Sequence, residues 1–360
     1  MNKLLTAFAL LISINVSLAQ TRADSLLLIN YRPVSIYKTP MANIKKAAFP
    51  VIDMHSHDYA GTPEDVDDWV KRMDKFNIEK TMVLCMPGAK GFDSALAKYG
   101  RYPKRFALWC CFDYTGYGTP GWQKHAVEEL EKCYKKGAKG VGELGDKGDG
   151  EIYSAPVKGY GLHIDDVQMK PLLAKCAELH MPVSIHVAED EWMYEIPDST
   201  NDGLMNAFIW HVDTMKAGRL GHDALIQSLA NAARDNPNTI FIACHYANSC
   251  SNLQVLGDML DKYPNLYADI AARYAEIAPV PRYAAAFIIK HQDKLLYGTD
   301  NSPEDRMYLN TFRILESADE HFYEPEMLHY HWALYGLNLP AAVLEKLYRK
   351  NAEKILNSYK

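Results

Sequence analysis

Two histidines one residue apart, His55 and His57, close the run Val-Ile-Asp-Met-His-Ser-His that begins at Val51. On an extended strand, residues two apart share a face, so both imidazoles converge on one point. Neutral imidazole is a preferred ligand for a divalent metal, and the pair would supply part of a coordination shell. Further polar side chains end apolar runs downstream: Glu143 in Val-Gly-Glu-Leu-Gly, His186 in Ser-Ile-His-Val, His245 in Ile-Ala-Cys-His, Asp269 in Ala-Asp-Ile, and Asp300 in Leu-Tyr-Gly-Thr-Asp. A lone H-x-H is weak evidence. Histidines and carboxylates at the ends of several strands whose middles are apolar are much stronger, and they point to a metal held by His55, His57, His186 and Asp300.

Those residues need a scaffold that brings strand ends together. Short β-branched or aromatic runs at 51–56, 81–86, 106–112, 138–144, 183–187, 239–245, 266–270 and 294–298 alternate with segments of helical period. Val66, Trp69, Val70, Met73 and Phe76 form one apolar stripe, opened by Thr62 as N-cap and Pro63 at the first helical position. Leu172, Leu173 and Cys176 repeat the pattern before the fifth strand, with Val167 and Leu179 at its flanks, and Leu225, Ile226, Leu229 and Ala233 repeat it before the sixth. Strand–helix alternation of this length predicts an α/β fold, a TIM-type (β/α)8 barrel spanning residues 20–360 as one domain with N- and C-terminal extensions. An open doubly wound sheet would carry a Gly-rich phosphate loop after its first strand, where this chain has His-Ser-His. Residues 145–161 and 190–221 read as long loops over the mouth.

The chain has 360 residues, 39 Lys+Arg against 45 Asp+Glu and 48% apolar residues, a balance that suits a globular core and gives no basic surface for nucleic acid. Residues 1–19 resemble a cleaved secretory leader: Lys3, an apolar stretch too short to span a bilayer, then Ser17-Leu-Ala before Gln20. The expectation is an exported, periplasmic or secreted protein, free of the membrane after cleavage near Ala19. The 7 cysteines are odd in number, several sit in strand-like runs and none has C-x-x-C spacing, so they read as buried thiols.

The motifs around His55, His57, His186, His245 and Asp300, with Ala-Asp-Ile-Ala-Ala-Arg on the seventh strand, resemble the amidohydrolase superfamily, in particular the branch that includes aminocarboxymuconate semialdehyde decarboxylase. The likeness runs from about Val51 to the C-terminus. It implies a divalent metal on His55, His57, His186 and Asp300, usually zinc, with manganese as an alternative. It also implies that His245 contacts substrate or the reacting water. Three imidazoles and one carboxylate leave a coordination position open, which suits catalysis better than a closed structural site. In binuclear members of the superfamily a fourth-strand carboxylate bridges two metals, and Glu143 stands near that position. Bridging ligand and supporting carboxylate behind a single metal are both open at this level.

The leading expectation is a metal-dependent hydrolase acting on an ester, lactone or amide of a small polar, carboxylated molecule, with Asp300 as proton acceptor and His245 steadying the oxyanion. Arg273 would pair with the substrate carboxylate or, as an equal alternative, with Glu276 or Asp269. A metal-dependent non-oxidative decarboxylase is the second reading, and a barrel that binds without catalysis is the third. A small molecule is the expected partner, and a homo-oligomer is compatible with the sequence.

Overall fold

The computed structural model describes residues 25–85, 88–150, 161–328 and 330–357. The leader-like residues 1–19 lie outside them, as do Met86 and much of the loop after the fourth strand, including Tyr153 and Tyr160. Among the described residues eight parallel strands appear in chain order: β1 Val51–His57, β2 Ile78–Leu84, β3 Phe106–Trp109, β4 Val141–Asp146, β5 Val183–Val187, β6 Phe241–Ala243, β7 Leu266–Asp269 and β8 Leu295–Leu296. They pair in sequence order as β1-β2-β3 and β4-β5-β6-β7-β8.

Backbone hydrogen bonds cross both seams between these sets. The Cys110 N–H donates to the Gly140 carbonyl at 3.0 Å and the Gly142 N–H to the Cys110 carbonyl at 2.8 Å, linking β3 to β4. The Met54 N–H donates to the Tyr297 carbonyl at 2.9 Å, and the His55 carbonyl accepts from Thr299 and Asp300 at 3.0 and 2.8 Å, linking β8 back to β1. The result is the expected α/β barrel, with crossover helices between strands.

The helices follow from local sequence. Pro63–Phe76 opens with a complete capping box: Thr62 Oγ1 accepts from the Asp65 N–H, and the Asp65 carboxylate accepts from the Thr62 N–H. Its Val66, Trp69, Met73 and Phe76 are buried against the strands. In His222–Asp235 the residues Leu225, Ile226, Leu229 and Ala233 are likewise buried. Val167 departs from its expected place, because it sits in a 3-10 turn ahead of Lys170–Glu178 and is exposed.

One apolar cluster fills the inside of the barrel: Ile52, Met54, Met82, Leu84, Trp109, Ile242, Tyr267 and Leu296, joined by Ala352 and Ile355 of the C-terminal helix Asn351–Asn357. Packing these side chains removes the lumen as a channel and leaves only the carboxyl ends of the strands for chemistry. Several strands are shorter than their apolar runs. The sixth run stops at Ala243 because His245, Tyr246, Ala247 and Asn248 turn left-handed, with φ between 50° and 59°. All seven cysteines are buried thiols. Among the described residues no helix is long and apolar enough to cross a membrane.

Candidate metal centre

Six of the sequence-predicted side chains meet at the carboxyl mouth of the barrel. From β1, His57 Nε2 lies 3.2 Å from Glu143 Oε2 and 3.1 Å from Asp300 Oδ1. His55 Nε2 is buried 3.7 Å from an oxygen of each of the same two carboxylates, beyond hydrogen-bond reach. On the other side, Glu143 Oε1 lies 3.1 Å from His186 Nδ1 and 3.3 Å from His245 Nε2. Ligand atoms about 2.1 Å from one first-row metal stand roughly 3.0–3.4 Å apart, so these separations are those of donors around a shared ion. Overlapping donor groups are formed by His55, His57 and Glu143; by His55, His245 and Asp300; and by Glu143, His186 and His245.

The backbone that aims these groups is unusual in two places. The β1–β2 pairing slips between Asp53 and Ser56, a bulge that re-aims the residues beside it, and His55 is one of them. At the end of β6 the four left-handed residues each cost about 1–2 kcal/mol against ordinary backbone, so neighbouring contacts must over-determine them. They do. The His245 N–H donates to Asp269 Oδ1 and its Nδ1–H to the Ala271 carbonyl, both at 2.9 Å, while Asn248 Nδ2 donates to the Val187 and Ala188 carbonyls. Gly298 is required two residues past β8: a Cβ there would stand 2.7 Å from that of His55.

Supporting carboxylates set the histidine tautomers. Asp269 Oδ2 accepts from His55 Nδ1 at 2.9 Å, which leaves Nε2 with its lone pair toward the cluster. The Ala271 carbonyl does the same for His245. Asp53 is no ligand: it accepts from the Thr299 N–H and hydroxyl and from the His55 N–H, tying β8 to β1, and complete burial pushes its carboxyl up to about 7. Tyr59, absent from the sequence reading, donates to Asp300 Oδ1 at 3.2 Å.

Electrostatics explain why the cluster needs a cation. Burial disfavours a charged His55, yet Asp269, Cys244, Glu143 and Asp300 outweigh it and hold the ring well above the usual histidine range. His57 is carried to about 9 against its burial by hydrogen bonds to Asp300 and Glu143. Glu143 and Asp300 stay ionised despite their own burial, chiefly through the His55 charge. His186, by contrast, is pushed down to about 4 by burial, with His245 adding to the effect. Three carboxylates around four imidazoles therefore draw positive charge to one centre, which protons supply in the bare protein and a divalent ion would supply instead. The donor set fits such an ion.

Beside the cluster lies a cavity of about 300 Å³ lined by His186, His245 and Asp300 on one side and by Glu189, Arg273 and Glu276 on another. Arg273 is thus on the cavity wall, as a substrate-binding residue should be, but its guanidinium is engaged. Nε lies 2.9 Å from Asp190 Oδ2, Nε and Nη2 donate to Asn248 Oδ1, and Nη1 is 3.7 Å from Glu276 Oε1, the ion pair weighed from sequence. Lys147, Glu189, Glu276 and Tyr330 also line this cavity and were not singled out as site residues from sequence. Lys147 and Glu189 stand just past the ends of β4 and β5, a position that could have flagged them; Glu276 and Tyr330 carry no such signal. His163 is held by Asp146 at 2.7 Å.

The amidohydrolase family model matches residues 52–357, and the chain belongs to that family. It is a metal-dependent enzyme of the amidohydrolase superfamily. No curated protein matches the chain in a sequence search. Among solved structures, 2,6-dihydroxybenzoate decarboxylase from Rhizobium is similar over 87% of this chain and 100% of its own, with 13% identity and TM-score 0.53. A 5-carboxyvanillate decarboxylase from Novosphingobium aromaticivorans, complexed with manganese and a nitrobenzoic acid, is similar over 88% and 99%, with 13% identity and TM-score 0.52. A protein described as amidohydrolase II is similar over 85% and 99%, with 15% identity and TM-score 0.51. At these identities the likeness is one of fold.

Proposed function

We propose that this enzyme is a two-metal hydrolase of an ester, lactone or amide bond. The observation that carries the proposal is the position of Glu143. Its Oε2 faces His55 and His57 while its Oε1 faces His186 and His245, so one carboxylate spans two half-sites. His55, His57 and Asp300 would hold one ion, His186 and His245 the other, with Glu143 between them. When bound, the metal pair supplies Lewis-acid polarisation of a carbonyl and a water acidified towards neutrality. Zinc suits the histidine-rich set, and the manganese of the carboxyvanillate enzyme makes that ion the alternative.

The protein's own groups orient and move protons. Asp300 Oδ1 is committed to His57 and Tyr59, so Oδ2 is the oxygen that accepts a proton from water and passes it to the leaving group. His245 joins the ligands in this scheme: with its Nδ1–H given to Ala271, a neutral ring offers Nε2 as a lone pair and no donor to an oxyanion. Arg273 acts as a positioning residue, since Asp190 and Asn248 hold its fork. The leader-like residues 1–19 support an exported enzyme.

A decarboxylase is the second reading, favoured by two structural relatives that are decarboxylases. Turnover of an ester, lactone and amide panel beside carbon dioxide release from an aromatic acid panel separates the two. Hydrolysis lost in His55→Ala is expected. Carbon dioxide release without any hydrolysis would reverse the assignment.

A further inference from the structure

The cavity wall that carries Glu189, Arg273 and Glu276 has more carboxylates than cations. Glu189, Asp190 and Glu276 face Arg273 and Lys147, and each cation already has a carboxylate. Lys147 contacts Glu189 and lies 5.3 Å over the Trp210 ring, and Arg273 pairs with Asp190 at 2.9 Å. Glu276 has a longer contact with Arg273 than Asp190 has, 3.7 Å from Oε1 to Nη1. Its side chain is 2% exposed, Oε1 accepts from the Tyr330 hydroxyl at 2.8 Å, and Oε2 is buried with no hydrogen-bond partner. A buried carboxylate oxygen without a donor costs free energy, and it is seldom retained unless a ligand or ion completes it. Glu276 lines the same cavity as Asp300, His186 and His245.

Burial also raises the carboxyls of Glu276, to about 7, and of Asp190, so the single Arg273 charge does not offset the desolvation of both. The indole of Trp210 and the phenol of Tyr330 line the cavity too, and Tyr330 is stacked on Trp332 with ring centroids 4.1 Å apart. Aromatic faces beside carboxylates form a favourable setting for an ammonium group.

We propose that this wall is a subsite for a protonated amine of the substrate, with Glu276 as the carboxylate that receives it. The inference deepens the hydrolase reading and rests on it for the bond that is cleaved: the substrate becomes an amine-bearing ester or amide. It replaces the carboxylated substrate expected from Arg273, whose guanidinium is already engaged.

Calorimetric titration with n-butylammonium, and with neutral n-pentanol as control, tests the subsite on metal-loaded and chelator-treated protein alike. Saturable binding of the ammonium in both forms, weakened about tenfold or more in Glu276→Gln as loss of a charge-assisted hydrogen bond demands, is the expected result. Tyr330→Phe, which keeps the Glu276 charge, should weaken it less. Circular dichroism and melting temperature verify that each variant folds. Equal binding of ammonium and alcohol, no saturable binding, or a folded Glu276→Gln protein with unchanged affinity would overturn the subsite. Comparing kcat/KM for an aminoacyl 4-nitroanilide with its N-acetylated form gives the kinetic counterpart, with preference for the free amine expected. If the ammonium binds yet no ester or amide is hydrolysed, the subsite stands and the hydrolase reading fails.

Discussion

Two buried polar regions sit side by side at the mouth of this barrel, and they are built on opposite logic. Around Glu143, nitrogen and oxygen lone pairs converge on a common centre, and supporting groups such as Asp269 and the Ala271 carbonyl hold the rings with those lone pairs facing inward. Around Arg273 the charges are paired with one another. Asp190 lies 2.9 Å away, and Asn248 links the guanidinium to the carbonyls of Val187, the last residue of β5, and Ala188 just after it. The first region is organised for an ion that the chain does not supply; in the second the guanidinium is met by the chain's own groups and holds backbone, while Glu276 Oε2 beside it is left without a donor. The difference teaches that buried charge by itself does not mark a reactive centre. What marks it is convergence without internal completion.

The comparison can be broken most severely at Arg273. Arg273→Met leaves Asp190 as an uncompensated buried charge, while Asp269 and the Ala271 carbonyl still hold His245, so urea denaturation should register a loss of about 3–5 kcal/mol. Metal content of the folded fraction should change little. A variant that loses metal while keeping its stability would put Arg273 in the wrong region.

A smaller effect is expected at Asp269, which belongs to the metal region through His55. Asp269→Asn should lower metal affinity by about 10–100-fold, as for other residues that orient a ligand histidine. Competition against a chromophoric chelator measures this.

The smallest effect is on pH dependence, and it separates the loaded from the bare centre. In metal-free protein His57 titrates near 9 against its ordinary 6.5, so its folded pKa is raised. Its stabilising contribution is therefore complete below about 6.5 and disappears as pH climbs to about 9. Melting temperatures of chelator-treated protein should fall across that window. Metal-loaded protein should not show the fall, because the ion replaces the proton. The same linkage makes metal binding tighten as pH rises.

The barrel was legible because its signal is distributed: apolar strand runs and the Thr62-capped stripe of Val66, Trp69, Met73 and Phe76 repeat the same message many times. The histidines were legible for a related reason, since a polar residue ending an apolar run conflicts with its surroundings. Strand ends were not. The sixth run reads as extended through His245, and nothing in Cys-His-Tyr-Ala-Asn announces four left-handed residues from His245 to Asn248, held through Asp269 and the Asn248 side chain. Nor could sequence reveal that Arg273 is engaged by Asp190, or that Glu276 lies on the cavity, because both depend on how the loops fold back over the mouth.

Metal content per chain, measured by plasma mass spectrometry on protein purified without chelators and compared with Glu143→Ala, tests the two-half-site centre most directly. Two equivalents in the wild type and one or fewer in the variant are predicted. One equivalent in both would contradict a bridging Glu143 and return that carboxylate to a supporting role behind a single ion.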